Sequence, residues 1–424
     1  MNIAIISSSS SYHHLAQLFL KESTVENVYH YGAHPSLIET DRYHPVPIAI
    51  PVIPANNSVE EEVKLILEHI KDKNIAFVMS SSVQIPSNKL IHDELKRLNI
   101  PYFFVTADMT ALEKNKSLSK KMFGSLGIPT ANGETVDGKY LFENFKTIPR
   151  PFVVKLNFIY QHGKQTVVVT DENYEEVYMD LFSARLDSNA RITNINFNSN
   201  LIIEKFVKIK KEYSYHALFN EAGWKYLGSA RDYKKINDDD QGFNSVSMGS
   251  YNTHDVDPIV HEYADKIFNF LKSRNYVYRG FIFLGIAVDE DNTPIILEIN
   301  TRSGDPELQA ILGSVENNLS ELFLAASSDM PLPSITHNDN KTVTIRLVNT
   351  VYDWSKPSSF LPKLETCPPD IMHGLEGTDP FYLKHSVFTA SDSTHELAAK
   401  KIYNYLDKQF VGQYRYRRDI GILK

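Results

Sequence analysis

The sequence has few of the residues that would make a disulfide-stabilised, membrane-spanning or nucleic-acid-binding protein. One cysteine, Cys367, is present in 424 residues, which excludes an internal disulfide and cannot form a metal site by itself. No run of about 18 apolar residues, the length that a transmembrane helix needs, occurs in the chain. The net charge of −8 argues against a nucleic-acid surface. We therefore expect small-molecule partners, and neither a nucleic acid nor a membrane.

The composition is that of an ordinary globular protein, with 42% hydrophobic and 23% charged residues. A chain of 424 residues is long enough for two or more domains with real cores. The N-terminus begins with an apolar strand pattern, Ile3–Ile6, and lacks the basic region and cleavage site of a signal peptide. We expect a cytoplasmic protein that is a monomer or a small homo-oligomer.

The order of strand and helix patterns indicates an α/β protein. Over residues 1–106 the two patterns alternate, which predicts a parallel sheet covered by helices. The predicted strands there are Ile3–Ile6, Val46–Val52, Ala76–Met79 and Tyr102–Val105, and the predicted helices are Val59–Asp72 and Ser87–Leu98. A helix over Ala111–Phe123 follows, then a compact unit over 126–199 and a larger strand-rich unit over 200–330. The pattern restarts after Pro331 and Pro333.

The most informative segment lies at the end of a predicted buried strand. Glu298 and Asn300 interrupt an apolar run and stand two residues apart, so both project from one face of the strand. A carboxylate and an amide oxygen at this spacing suit Mg²⁺, or Mn²⁺, with room left for phosphate oxygens. The alternative is a strand end followed by a solvated turn. Buried strands rarely place two polar residues on one inward face without a partner, which favours the metal site.

This segment resembles the ATP-grasp ligases, and within them the glycinamide ribonucleotide synthetase family. That family carries a Glu-x-Asn-x-Arg-x-Gly-Asp-Pro-Glu motif, matched here by Glu298, Asn300, Arg302, Gly304, Asp305, Pro306 and Glu307. The resemblance implies metal ligation by the first two residues and contact of Arg302 with the transferred phosphate. It also implies an amino-acid pocket beside Asp305 and Glu307.

The resemblance extends along nearly the whole chain and implies a domain order. It predicts an N-terminal α/β domain over 1–106 and an ATP-grasp core over 107–125 and 200–330. A small lid would cover 126–199, and a C-terminal α+β domain would cover 331–424. The C-terminal tract Tyr416–Gly421 also resembles the end of the family's sequences, although a strand with solvated arginines is the favoured interpretation there.

The resemblance implies a nucleotide site in which lysines from two elements meet the phosphates. Lys116 matches a helix lysine of the family, and Lys155 ends an apolar strand where a solvated lysine would be misplaced. The family's glycine-rich loop is reduced here to Gly163 and Lys164. The expected adenine and ribose contacts are Glu204, Lys205, Phe206 and Glu212. The alternative for Glu204 is a strand-end carboxylate paired with a neighbouring lysine.

The expected substrate site keeps part of the family pattern and loses part of it. Matching residues are Asp232, Lys234, Asn244, Met248 and Gly249, together with Asp305 and Glu307. Val246 and Ser247 replace two glycines of the family, Ser9–His13 stand in place of its Gly-Gly-Arg-Glu-His turn, and Ser80–Ser82 replace its Gly-Pro-Glu element. In the turn, Ser10 and Ser11 can still donate hydrogen bonds to a phosphate at a helix N-terminus. All of these changes fall on the half that would bind the amine.

The resemblance implies an ATP- and Mg²⁺-dependent ligase that activates a carboxylate as an acyl phosphate. Arg302, Asp305 and Lys155 are the expected catalytic residues. The nominal reaction joins glycine and 5-phosphoribosylamine to give glycinamide ribonucleotide, ADP and phosphate, as in purine biosynthesis. Two alternatives stay open: the same chemistry on a different amine or amino acid, and a nucleotide-binding paralogue without turnover.

Overall fold

The structure is a computed structural model that describes most of the chain. The residues described are 1–33, 38, 40–46, 58–81, 85, 88–157, 166–182, 200–245, 247–274, 276, 278–349, 367–375, 386–410 and 414–422. Within this part of the chain, no helix is long and apolar enough to cross a membrane.

The N-terminal region forms a five-stranded parallel sheet, as the alternating pattern predicts. Its strands are β1 (Asn2–Ile6), β2 (Asn27–Tyr31), β3 (Tyr43–Val46), β4 (Ile75–Ser80) and β5 (Tyr102–Phe103), in the order β3-β2-β1-β4-β5. The accompanying helices are α1 (Ser10–Lys21), α2 (Ser58–Ile70) and α3 (Lys89–Arg97). The sequence pattern misses β2 and places a strand over Val46–Val52. The structure describes β3 up to Val46, and residues 47–52 of the predicted strand lie outside the described part.

Two helices stand where the sequence pattern predicts a single one. They are α4 (Ala107–Lys114) and α5 (Lys116–Ser125). Asn115 leaves the helical conformation, with φ −125° and ψ 96°, and its side chain accepts a hydrogen bond from the backbone N–H of Leu118 at 3.1 Å. Asparagine competes with the helical backbone through such bonds and favours an N-cap. The break makes Lys116 the first residue of a new helix.

A small antiparallel sheet with two helices follows. It contains β6 (Gly133–Asp137), β7 (Phe152–Leu156), β8 (Thr166–Val169) and β9 (Asn200–Lys205), with α6 (Gly138–Asn144) and α7 (Tyr174–Phe182). The strand order is β6-β9-β7-β8. The domain order predicted from sequence assigns 200–205 to the core, but β9 pairs with β6 and β7, so this strand lies in the small sheet.

The large sheet has nine strands and crosses the boundary predicted at residue 331. Its strands are β10 (Ile209–Asn220), β11 (Gly223–Asp232), β14 (Gly249–Thr253), β15 (Gly280–Asp289), β16 (Pro294–Asn300), β17 (Lys341–Asn349), β18 (Met372–Leu375), β19 (Ser386–Asp392) and β20 (Tyr414–Arg415). The order is β16-β15-β10-β11-β14-β17-β19-β18, and β20 pairs with β17. The pairing of β14 with β17 makes the sheet continuous. The domain division itself stays a prediction.

The remaining elements surround this sheet. A hairpin of β12 (Lys235–Asn237) and β13 (Gln241–Asn244) projects from it, and the helices are α8 (Ile259–Ser273), α9 (Glu307–Leu312), α10 (Leu319–Ala326) and α11 (His395–Gln409). One hydrophobic core contains residues of α1, β1, β10, β11, α9 and α10. The N-terminal sheet is therefore packed against the large sheet through α1, α9 and α10, which brings the first turn of α1 beside the segment that follows β16.

Candidate active site

The polar pair predicted on the buried strand is found at the end of β16. Asn300 Nδ2 lies 3.4 Å from Glu298 Oε1, so the two side chains share one face. Gly285 of β15 stands opposite Glu298, and a Cβ built on this glycine would lie 3.0 Å from the glutamate Cγ. The glycine therefore leaves the space that the carboxylate occupies.

The carboxylate of Glu298 stays ionised although it is buried. Burial raises its pKa, but the positive charges of Lys234, Lys116 and Lys155 outweigh burial and hold the pKa below its usual value. An ionised carboxylate beside an amide oxygen fits Mg²⁺, which binds through one or two carboxylates plus substrate phosphates. The described residues contain no group of three His, Cys, Asp or Glu residues that could hold a metal, so a site enclosed by such ligands is not found among them.

Two lysines predicted to meet the phosphates lie in the same cleft. Lys116, at the start of α5, is half-buried with its Nζ 3.4 Å from the carbonyl oxygen of Leu156, and burial lowers its pKa to about 8. Lys155 of β7 forms an ion pair with Glu204 at 2.8 Å. Lys120, one helical turn after Lys116, binds the other oxygen of Glu204 at 2.7 Å. The i, i+4 spacing of these helix lysines is a sequence signal that points to Lys120.

Glu204 therefore lies between two lysines and is 2% exposed. This is the arrangement that the alternative interpretation of Glu204 describes, and its nucleotide role stays a prediction. At the end of the same strand, Lys205 and Phe206 are exposed. Gly163 and Lys164 lie outside the described residues.

A cleft joins these groups. It has about 320 Å³ of free space, part of it open to solvent. The residues that line it are Leu112, Glu113, Lys116, Ser119, Lys120, Lys155, Glu204, Leu297, Glu298, Ile299 and Asn300. Three cations therefore face the proposed metal ligands across one space, which is the charge pattern that a polyphosphate with a divalent cation requires.

Arg302 is held at the end of β16 by a residue that the sequence does not single out. Its Nε donates to Glu113 Oε1 at 3.0 Å, and its Nη1 donates to the carbonyl oxygen of Ser303 at 3.0 Å. The other carboxylate oxygen of Glu113 accepts bonds from the backbone N–H and the hydroxyl of Thr301, at 2.9 and 3.1 Å. Glu113 belongs to α4, far from Arg302 in sequence, so no local pattern links the two.

Asp305 and Ser10, both predicted for the substrate site, are in direct contact. The Ser10 hydroxyl donates to Asp305 Oδ1 at 2.7 Å, and the backbone N–H of Ser11 donates to Oδ2 at 3.3 Å. Arg346 and Gln309 donate to the same carboxylate at 3.1 and 3.2 Å. The N-terminus of α1, which was predicted to hold a phosphate, thus holds an internal carboxylate in this structure.

Four other candidate residues form a partly buried charged group. Lys234 Nζ lies 2.6 Å from Glu212 Oε1, so two residues predicted for different substrates bind each other. Burial raises the pKa of Asp232 to about 6. Burial, and then the charge of Asp232, raise the pKa of Glu307 to about 8. The raised pKa favours the protonated form of Glu307 near neutral pH.

The remaining predicted substrate residues lie near this group in the chain. Their described contacts are with the protein itself, through core packing, backbone hydrogen bonds and strand pairing. Met248 is fully buried in a hydrophobic core, and its backbone N–H donates to the carbonyl oxygen of Tyr233 at 2.8 Å. Gly249 has φ +147°, and a Cβ there would lie 2.2 Å from the carbonyl oxygen of Thr344. Asn244 ends the β13 strand opposite Lys235. Their substrate roles stay predictions.

The C-terminal tract departs from the expectation of solvated arginines. Arg417 is 1% exposed and binds Asp240 and Asp419, and its guanidinium lies 4.7 Å from the centre of the Tyr233 ring. Arg418 is 57% exposed, as expected. The prediction is therefore wrong for Arg417, which links the C-terminal tract to the β12–β13 hairpin.

Comparison with known proteins identifies the type of fold. A model of the phosphoribosylglycinamide synthetase ATP-grasp (A) domain matches residues 114–308, the region that carries the lysines and β16. Residues 114–308 are therefore similar to the ATP-grasp domain of these synthetases. This confirms the resemblance and the α/β fold class predicted from sequence.

Similar proteins cover most of the chain. A phosphoribosylamine–glycine ligase of Neisseria meningitidis serogroup B is 24% identical over 384 residues, 84% of this chain and 86% of that protein. One of Vibrio vulnificus is 26% identical over 333 residues, 77% and 73% of the two chains. The crystal structure of a phosphoribosylamine–glycine ligase from Thermotoga maritima matches with a TM-score of 0.73 at 22% identity, over 99% of this chain and 100% of the other. A biotin carboxylase from Campylobacter jejuni matches with a TM-score of 0.65 at 13% identity, over 98% and 92%.

Proposed function

We propose that this protein is an ATP-dependent ligase that joins a carboxylate to an amine, with Mg²⁺ or Mn²⁺ as the divalent cation. The observation that carries the proposal is the convergence on one cleft of Glu298 and Asn300 with Lys116 and Lys155. Arg302 follows two residues after Asn300. A protein that only bound a nucleotide would not need this complete set.

The reaction requires charge neutralisation and positioning more than a protein nucleophile. The substrate carboxylate attacks the γ-phosphorus of ATP, the bond to the bridging oxygen breaks, and an acyl phosphate and ADP form. The amine then attacks the acyl carbon, loses a proton and expels phosphate, which leaves an amide. A divalent cation held by Glu298 and Asn300 would neutralise phosphate charge. Lys116 and Lys155 would bind the phosphates, and Arg302 would contact the transferred group.

The first substrate pair to test is the one named for the similar ligases, glycine and phosphoribosylamine. We propose that Asp305 and Glu307 border the pocket for the amino acid, because both follow Arg302 directly and lie beside buried polar groups. The test is ADP release by the purified protein with ATP, Mg²⁺ and glycine, with and without phosphoribosylamine. Amine-dependent ADP release with formation of glycinamide ribonucleotide is the expected result. If none of the amines tested stimulates ADP release, a ligase reaction is refuted.

A second candidate, the same chemistry with a phosphate-free amine, is favoured by one contact. The carboxylate of Asp305 receives the Ser10 hydroxyl and the Ser11 N–H at the start of α1. An incoming phosphate would meet this carboxylate, which already pairs with Arg346 at 3.1 Å, and the first turn of α1 carries no further arginine that could bind the phosphate. Competition assays separate the candidates: a phosphate-free amine should outcompete phosphoribosylamine if Asp305 keeps this position. Efficient glycinamide ribonucleotide formation at ordinary enzyme rates, about 1–10³ s⁻¹, would exclude the second candidate.

The cytoplasmic location, the absence of nucleic-acid and membrane partners, and the oligomeric state stay predictions. Size-exclusion chromatography with light scattering measures the oligomeric state directly. The non-catalytic alternative is tested by the same ADP assay. It requires nucleotide binding without any amine-dependent turnover.

A further inference from the structure

Glu113 makes three contacts with the two residues that follow Asn300. Its carboxylate accepts hydrogen bonds from the N–H of Thr301, the hydroxyl of Thr301 and Nε of Arg302, at 2.9, 3.1 and 3.0 Å. The Glu113 side chain is 3% exposed, whereas that of Arg302 is 26% exposed. The glutamate is thus a buried support, and the arginine that it binds stays partly exposed.

The contacts fix the plane of the Arg302 guanidinium. Nε is bound by Glu113, and Nη1 donates to the Ser303 carbonyl oxygen. No hydrogen bond of Nη2 is found to the described residues. A guanidinium is a rigid planar fork, so fixing two of its nitrogens also fixes the direction of the third. The N–H groups of Nη2 can therefore bind an anionic oxygen while the side chain keeps its present rotamer.

Glu113 also couples two parts of the site through the chain itself. It lies three residues before Lys116, at the end of α4 and just before the break at Asn115. The Asn157 side chain accepts a bond from the N–H of Ser117 at 2.8 Å, which ties the start of α5 to the end of β7. One short segment therefore sets the positions of both Arg302 and Lys116 relative to the end of β16.

We infer that Glu113 is a positioning residue that aims the Arg302 guanidinium at the transferred phosphoryl group. This inference rests on the proposed ligase function and names a residue that acts through Arg302 rather than on substrate. A preorganised donor stabilises developing charge without reorganisation during the reaction. If Glu113 served only to stabilise the fold, its replacement would lower the stability of the protein. The rate of the chemical step in the folded protein would then stay unchanged.

The first test is Glu113→Gln, which keeps the shape and one acceptor oxygen but removes the charge that holds Nε. We expect kcat to fall by about 10²-fold, the effect of a small misplacement of a catalytic group, with the KM for ATP unchanged. The matched control is Glu221→Gln. Glu221 accepts two bonds from Arg279 Nε, at 3.0 and 2.9 Å, in another partly buried pair that does not line the cleft. This control should lose comparable thermal stability and keep its kcat.

The decisive measurement is a double-mutant cycle of Glu113→Gln with Arg302→Ala. If Glu113 acts through Arg302, Glu113→Gln should cause no further loss of kcat in a protein that already carries Arg302→Ala. Multiplying losses would overturn the inference, and so would a wild-type kcat in folded Glu113→Gln. If Glu113→Gln does not fold, Thr301→Val removes one of the three bonds and should give a smaller loss of kcat with the same unchanged KM for ATP.

A binding measurement separates this inference from the proposed function. ADP with aluminium fluoride and Mg²⁺ mimics the transferred phosphoryl group. We expect Glu113→Gln to weaken binding of this complex while ADP alone binds as in the wild type. Equal weakening of both ligands would overturn the inference. A wild type that binds the complex but releases no ADP with any amine would refute the proposed ligase reaction and leave the role of Glu113 in binding to be read from the same titration.

Discussion

Replacing Glu298 by glutamine should remove most of the ligase activity while leaving the fold intact. Glu298 provides one of the two protein oxygens proposed for the metal, and the charges of Lys234, Lys116 and Lys155 hold its pKa below the usual value. Loss of one electrostatic stabiliser of a transition state costs on the order of 10²–10³-fold in turnover, about 2.7–4 kcal/mol. The fold should survive because glutamine has the same shape, and the hydrogen bond that this side chain accepts from Asn300 among the described residues is long at 3.4 Å.

Glu290→Gln is the matched control for this substitution. Glu290 lies between β15 and β16, close in sequence to Glu298, and pairs with Lys208 at 2.6 Å with both side chains more than half exposed. An exposed ion pair of this kind contributes about 0–1 kcal/mol of stability. We expect this variant to keep both its turnover and its metal dependence.

The assay is ADP release with glycine and the active amine, measured over a titration of Mg²⁺ and then of Mn²⁺. For Glu298→Gln we expect a lower maximal rate and a higher metal concentration at half-saturation. Thermal unfolding of each variant shows that the protein is folded. Full turnover of Glu298→Gln at the wild-type metal dependence would refute the assignment of this strand as the metal site.

Three further predictions follow from the same structure. Lys155→Ala should weaken binding of a non-hydrolysable ATP analogue by about 1.5–3 kcal/mol, the range for hydrogen bonds to charged groups, whereas Lys89→Ala on the exposed face of α3 should not. Unchanged affinity in calorimetric titration would show that Lys155 serves only Glu204. Arg417→Ala should lower the free energy of unfolding by about 3 kcal/mol because Asp240 and Asp419 lose their shared, buried guanidinium partner, while Arg418→Ala should change it by less than about 1 kcal/mol; equal effects in urea denaturation would contradict this. Acid should destabilise the protein, because burial lowers the pKa of four histidines from 6.5 to about 3, so that only the unfolded chain takes up these protons between those values. The histidines are His14, His30, His216 and His373. Their contribution is complete above pH 6.5 and is lost as pH falls towards 3, by about 1 kcal/mol per histidine between pH 8 and pH 6; stability that stays constant over this range would refute the neutral buried state.

The elements that the sequence predicts best are those with a strong local pattern. Apolar strands such as β1 and β16 form because their β-branched residues suit buried sheets, and Glu298 and Asn300 share a face because strand periodicity is two. The break at Asn115 is missed because an asparagine cap is a local competition between side chain and backbone, and the surrounding lysines favour a continuous helix.

The site residues that escape the sequence are those whose partners come from distant parts of the chain. Glu113 and Arg302 meet because α4 packs beside the end of β16, and the local sequence of neither segment predicts this contact. The exposed character expected for Arg417 is also wrong, because the β12–β13 hairpin folds back to bury it. Charged side chains take their role from their partners, and partners are a property of packing.

The sequence by itself determined the polar pair on β16, because that pair depends on residue type at short spacing. The ATP-grasp type of fold and the lysines proposed for the phosphates followed from the resemblance of the sequence to a known family. Only the tertiary structure decided how the charges are paired. It placed Glu204 between Lys155 and Lys120, Glu212 on Lys234, and the carboxylate of Asp305 at the start of α1. The physical reason is that Coulomb and hydrogen-bond energies depend on distance and burial, which are fixed only when separate elements pack together.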